Sequence, residues 1–213
     1  MLGSRMTKLN RQDVLLIALI LSVSLNIALI GRTARPAFTD LANSFKRPQP
    51  VSVSDHFRGD PNSEITVLVY SDFQCPYCKD LHENLKSLQG HVQFRWIYRH
   101  FLVEGHSHAQ LYAEGSECAA VQGKFWEFAD ALFSAPTDPP PYDRLSSLVV
   151  KLGIDGDRFG HCLETKETQL LLSNNLRATE ILNITGTPTF FVNGKRFQGT
   201  RSAEELRALI APE

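Results

Sequence analysis

The chain has 213 residues, four cysteines and a net charge of −1, so it is large enough to bury a core and has too few cysteines for a disulfide-framework mini-protein. Hydrophobic residues make up 43% and charged residues 21%, an ordinary globular balance that excludes a basic nucleic-acid surface and an acidic disordered tail.

Residues 14–30 form an uncharged apolar run interrupted by Ser22, Ser24 and Asn26. As a helix the run would be about 26 Å long, at the short end of a membrane span. It is apolar all round, where a buried helix of a soluble protein would show a polar face. Arg5, Lys8 and Arg11 precede it and favour a cytoplasmic amino terminus. Arg32 and Arg35 on the far side weaken that bias without reversing it. A cleaved signal peptide is the competing reading. No small-x-small site follows closely, so the expectation is an uncleaved, single-pass signal anchor. Residues 1–13 are then a cytoplasmic tail. Residues 31–50, with Pro36, Pro48 and Pro50, are a linker, and residues 51–213 form an exported domain.

Residues 65–70 are a nearly continuous β-branched run, as in a strand buried on both faces. They lead into Cys75-Pro76-Tyr77-Cys78 and a helix to about Gln89. Residues 92–99 alternate, with Val92, Phe94, Trp96 and Tyr98 on one face, and predict a second strand. This makes a βαβ unit with C-x-x-C at its βα junction. A mostly helical stretch follows, with helices over about 109–121, 125–133, 145–152 and 169–182. The chain then returns to β. Residues 189–192 and 195–197 flank Asn193-Gly194, a strong hairpin signal. Ser202 and Glu205 form a capping box for a last helix.

At a helix start, the first cysteine sits among unpaired backbone N–H groups and the positive end of the helix dipole, which stabilise its thiolate. The second cysteine, one turn on, can resolve a mixed disulfide. Cys75 is accordingly read as an exposed nucleophile and Cys78 as a buried resolving thiol. Pro76 lacks an N–H that a first helical turn would not use. A zinc site would need Cys118 and Cys162 as further ligands, without knuckle spacing; no metal and no cofactor are expected. His100, His106 and His108 lack a carboxylate framework and are read as solvated. Trp96 and Trp126 are read as core. Gly186-Thr187-Pro188-Thr189 precedes a strand, where proline is tolerated with either peptide isomer.

The run from Asp72 through Cys75-Pro76-Tyr77-Cys78, the stretch from Gly123 to Glu127 and the stretch from Gly186 to Phe190 together resemble the DsbA-like branch of the thioredoxin superfamily, over about residues 50–210. The resemblance implies an α/β thioredoxin-like fold with an inserted helical subdomain at about residues 104–183. It also implies a cis-Pro188 beside the cysteine pair, supported by Tyr77, with Thr187 offering backbone hydrogen bonds to a substrate peptide. Many relatives carry a buried acid six positions before the first cysteine. Here Val69 stands there, and Asp72, nearer the motif, is expected to face solvent, leaving water to serve Cys78. Some members carry a second cysteine pair, so Cys118 and Cys162 are expected to form a structural disulfide, in keeping with an oxidising compartment.

The function expected is thiol–disulfide exchange with cysteine-containing exported proteins, as a dithiol oxidase, at the outer face of a bacterial inner membrane. A membrane or soluble redox partner would complete the cycle, and no nucleic acid is involved. Reductase or isomerase activity, a non-catalytic tethered peptide-binding module and a zinc-binding module are the alternatives.

Overall fold

The computed structural model describes residues 55–134, 141–166 and 168–211, together with Gln12, Leu15, Leu19 and Ser22. The four amino-terminal residues are helical and exposed. The rest of the expected anchor and the whole linker lie outside the described residues. Among the described residues, no helix is long and apolar enough to cross a membrane.

Elements from residue 55 onward run in the order β1 (His56–Gly59), β2 (Thr66–Ser71), α1 (Pro76–Leu88), β3 (Arg95–His100), α2 (Ala109–Ala120), α3 (Phe125–Ser134), α4 (Pro141–Lys151), α5 (Gly156–Thr165), α6 (Gln169–Ile181), β4 (Thr189–Val192), β5 (Lys195–Gln198) and α7 (Ala203–Ile210). The strands form one mixed sheet in the order β1-β3-β2-β4-β5. Only β2 and β3 are parallel, joined through α1; β1, β4 and β5 pair antiparallel to their neighbours. This is the thioredoxin-like α/β arrangement, with five helices between β3 and β4.

β2 is central, and its alternation feeds two cores. Val67 and Val69 pack with Leu81 and Leu85 of α1 and Leu206 of α7. Leu68 and Tyr70 pack on the opposite face with Ala178 of α6, Leu182 and Ile184. A third cluster fills the helical insertion around Phe128, Leu132, Leu145 and Phe159, and reaches the sheet through Phe73 and Tyr98. Trp96 is buried, as expected. Trp126 is only partly so, and its indole N–H donates to the Phe57 carbonyl at 2.9 Å.

Two elements are additional to those expected. β1 is four residues with an intermediate–exposed pattern, too short and polar for periodicity to reveal. α5 opens on a Gly-containing turn after Asp155, whose carboxylate caps the Arg158 amide at 3.0 Å. The second strand starts later than expected, at Arg95, because Val92 makes only an isolated bridge to Gln89. The hairpin turn has Asn193 at φ 47° and Gly194 at φ 83°, the paired positive values a two-residue turn requires. Asn193 also accepts the Thr66 amide at 2.8 Å. Both arms of the Ser202–Glu205 capping box are present.

β1 fastens the helical insertion to the sheet. Arg58 makes two hydrogen bonds to Asp130 of α3 at 3.0 and 3.1 Å. Asp130 also pairs with His82 of α1 at 2.7 Å and with Lys86 at 2.7 Å. Burial would raise this carboxyl, but hydrogen bonds from His82, Arg58 and Lys86 hold it well below the usual range.

Candidate active site

β2 ends at Ser71, and a short turn carries the chain to Cys75, the N-cap of α1, with Pro76 in the first turn. The Cys75 carbonyl accepts the Cys78 and Lys79 amides at 3.1 and 3.2 Å. That geometry places the first sulfur at the helix start and the second a turn inside.

Cys78 is 1% exposed, as expected of a buried thiol. Cys75, expected to be exposed, is only 6% exposed. The Thr187 loop covers it, and the Cys75 thiol lies 3.5 Å from the Thr187 carbonyl. The Thr187–Pro188 peptide bond is cis, and Pro188 is buried. Cys75 still lines an open groove of about 620 Å³, walled by Pro76, Tyr77, Leu102, Val103 and Thr187 among others. Tyr77 is 61% exposed. A sulfur in this groove is reachable by an extended chain laid along it.

The two thiols differ sharply. The Cys75 thiol is held down to about 6, first by a hydrogen bond from the Cys78 thiol and then by the Thr187 side chain and the amides of Cys78 and Tyr77, against the opposing effect of burial. Cys78 is pushed far up by burial first and by its neighbour Cys75 next. One sulfur is thus a ready thiolate at neutral pH and the other a protonated thiol, the asymmetry that disulfide exchange needs.

Asp72 does not face solvent. It is 2% exposed, and its carboxylate accepts the Gln74 amide at 2.7 Å and the Val103 amide at 2.8 Å. His106 Nδ1 lies 3.0 Å from it. Gln74 in turn accepts the His108 amide at 2.6 Å. Asp72 and Gln74 therefore hold the 101–108 loop, one wall of the groove, against the motif. Val69, by contrast, is a core residue facing Leu81 and Leu85.

The histidines are less exposed than expected. His100 is 1% exposed, with Nε2 at 2.6 Å from Glu117 Oε1, and His56 Nε2 lies 2.8 Å from the other oxygen of the same carboxylate. Burial would raise Glu117, but hydrogen bonds from His100 and His56 hold it down to about 2. His106 and His108 are half-buried. The signal for His100 was the strand itself: Trp96, Tyr98 and His100 share the buried face at period two. Glu117 had no such signal, because a carboxylate in an Ala-rich helix reads as surface.

Cys118 of α2 and Cys162 of α5 are joined, with S–S 2.00 Å and Cα–Cα 5.7 Å. Among the described residues, no group of three or more potential ligands could hold a metal ion.

The profile of the family described as Thioredoxin matches residues 52–211. Among curated proteins, the chain is 36% identical over 158 residues to the Na(+)/H(+) antiporter NhaA 3 of Salinispora tropica, covering 73% of this chain and 24% of that protein. It is 32% identical over 179 residues to the NhaA 1 antiporter of Mycolicibacterium gilvum, covering 77% and 29%. The chain thus spans about a quarter of the length of the curated relatives it matches. Among solved structures, the thiol-disulfide exchange protein alpha-DsbA2 of Wolbachia pipientis superposes with TM-score 0.67 at 20% identity, over 75% of this chain and 87% of that one. Oxidised BdbD of Bacillus subtilis gives TM-score 0.67 at 20% identity, over 77% and 95%. The chain belongs to the family described as Thioredoxin, whose model matches residues 52–211, and its fold is the one shared by the DsbA-like structures it superposes on.

Proposed function

We propose that the protein is a dithiol oxidase that transfers the Cys75–Cys78 disulfide to exported protein substrates. The observation that carries this reading is the divergence of the two thiols, Cys75 held down to about 6 and Cys78 pushed up. A substrate thiolate attacks Cys75 Sγ, the Cys75–Cys78 bond breaks, and its electron pair leaves on Cys78. A second substrate thiolate then attacks the substrate sulfur of the mixed disulfide, releasing Cys75 as a thiolate. A low-pKa leaving thiol speeds that second step and favours the reduced enzyme, which makes the disulfide oxidising. Pro76, Tyr77 and Thr187 line the groove that receives the substrate chain, with Pro188 buried behind Thr187. A membrane or soluble redox partner must then remove two electrons from the reduced pair.

Equilibration of the pair against glutathione tests direction. The expected result is that reduced enzyme predominates in mixtures where most of the glutathione is reduced and a small part oxidised. A pair that stays oxidised in such mixtures would assign reductase chemistry. The sodium–proton exchange in the names of the curated relatives belongs to much longer proteins and is not proposed for this chain.

Residues 14–30 support a single-pass anchor in a bacterial inner membrane, with the domain on the periplasmic side, and the Cys118–Cys162 bond suits an oxidising compartment. The protein is expected to stay with membranes through high-salt and alkaline washing. A soluble product beginning within residues 31–50 would show a cleaved signal.

A further inference from the structure

Exchange at Cys75 moves a proton at Cys78, a residue that is 1% exposed. When the Cys75–Cys78 bond breaks, Cys78 leaves as a thiolate in a site that disfavours charge, and it must gain a proton. In reverse, it must lose one before it can attack. Water reaches such a buried sulfur poorly, so the groups around it decide how that proton travels.

From α1's side of the sheet, Cys78 meets the end of β2. The Asp72 amide points at its sulfur at 3.5 Å, Ser71, the last residue of β2, immediately precedes that amide, and a side-chain hydrogen bond from Ser71 works to lower the Cys78 thiol against burial. Ser71 is 3% exposed. It pairs with His100 in the parallel register of β2 and β3, so the two side chains share one face on strands about 4.8 Å apart. The His100 ring also packs edge-on against Tyr98, with centroids 5.2 Å apart. Beyond it, His100 Nε2 meets Glu117 Oε1 at 2.6 Å. His56 Nε2 meets Glu117 at 2.9 and 2.8 Å. An ionised carboxylate only accepts, so both imidazoles donate Nε2–H to it. Glu117 is 2% exposed at its side chain and His56 19%. His56 lines a shallow opening of about 250 Å³ beside Gly123 and Phe125. Ser71 and His100 share the register and face, and His100, Glu117 and His56 lead on from there to a partly exposed imidazole on the side of β1.

We propose that Cys78 exchanges its proton through Ser71 and His100 with the buried Glu117 carboxylate, and that this path opens to solvent at His56. The inference rests on the exchange reading above. On reduction of the disulfide, the Cys78 thiolate takes the Ser71 hydroxyl proton, His100 replaces it, and the Glu117–His56 pair restores His100 from solvent. On reoxidation the proton runs outward by the same atoms. An imidazole can take a proton at one ring nitrogen and give one up at the other, so two of them around one carboxylate suit proton transfer in both directions. The rival route is Asp72 with His106 on the groove side. Its carboxylate is already engaged by two loop amides, and Asp72 approaches Cys78 through its backbone and not its carboxylate.

The test follows one step in the full chain. Cys75 is loaded with the coloured aryl thiol thionitrobenzoate, and Cys78 is left to expel it across a range of pH. Cys78 loses its proton and attacks Cys75 Sγ, the mixed disulfide breaks, and the aryl thiolate leaves with the electron pair. Glu117→Gln is expected to slow release at neutral pH by at least about tenfold, and to make the rate climb with hydroxide where the unmodified chain levels off. Loading of Cys75 is expected to be unchanged, which shows an intact site. His56→Gln, at the partly exposed end, is expected to act in the same direction more weakly, and it decides the matter if the Glu117 variant does not fold. Release profiles of these variants that superimpose on the unmodified chain would overturn the proposal. A profile moved only by His106→Gln would also overturn it and give the route to Asp72. Failure of Cys75 to load in the unmodified chain would overturn the exchange reading itself.

Discussion

Cys75→Ser is expected to abolish disulfide exchange, while Cys78→Ser is expected to accumulate mixed disulfides between Cys75 and substrate. The asymmetry follows from position. Cys75 caps α1 and lines the groove, so it is the sulfur a substrate thiolate can reach. Cys78 sits a turn inside at 1% exposure and meets substrate only after Cys75 has reacted. Removing Cys78 leaves the first step intact and removes the thiol that would resolve it. In the reduced enzyme, alkylation of the native protein should be monophasic in one cysteine and half-maximal near pH 6, since Cys75 is held down to about 6. A thiolate stabilised in the fold has a definite linkage sign. The depressed group stabilises the reduced fold fully above its unfolded value, and that contribution is lost as pH falls through about 6. Adducts that map to Cys78 in the Cys75→Ser variant would reverse the assignment.

The second large effect concerns the helical insertion. Breaking the Cys118–Cys162 bond, by Cys118→Ala with Cys162→Ala, is expected to lower stability by about 4 kcal/mol in the chain-entropy model, with exchange at Cys75 retained. The bond closes a loop with a sequence separation of 44, long enough for its removal to free considerable conformational entropy in the unfolded chain. It ties α2 to α5. Both cysteines are buried in the cluster of Phe128, Leu132, Leu145 and Phe159. The Cys75 thiolate depends instead on Cys78, Thr187 and the first amides of α1. Thermal unfolding read beside the rate of Cys75 alkylation separates the two. A fall in Cys75 reactivity equal to the fall in stability would show that the bond supports the site directly.

The parts of this molecule that are legible in sequence are those where local chemistry agrees with the final fold. The apolar run ending at Tyr70, the C-x-x-C at its end, the Asn193-Gly194 turn and the Ser202–Glu205 box each announce themselves within a few residues, and each is present. The misreadings arise where a residue's environment is supplied from far along the chain. Asp72 is covered by a loop some 30 residues on, through Val103. Cys75 is covered by Thr187, 112 residues away. His56 meets Glu117 across 61 residues. Polar residues read locally look solvated, and only the tertiary fold converts them into buried pairs. β1 was invisible for a related reason, since its value lies in what Arg58 and His56 reach and not in its own hydrophobicity.

The outer strands of the sheet bear on a different problem. An enzyme of the proposed kind, receiving unfolded chains in extended form, would work among segments ready to pair with any open strand. β1 and β5 are four residues each. β5 presents Lys195 and Arg196 to solvent, and charged residues on a short edge discourage a foreign strand from adding there. β1 stops at Gly59, where φ is +94° and a side-chain carbon would stand 2.2 Å from the Phe94 carbonyl oxygen; the chain turns away before a longer ladder can form. Under the proposed function, client chains would be directed to the groove beside Cys75 and away from the sheet margins, and the domain would resist seeding aggregation by its own substrates.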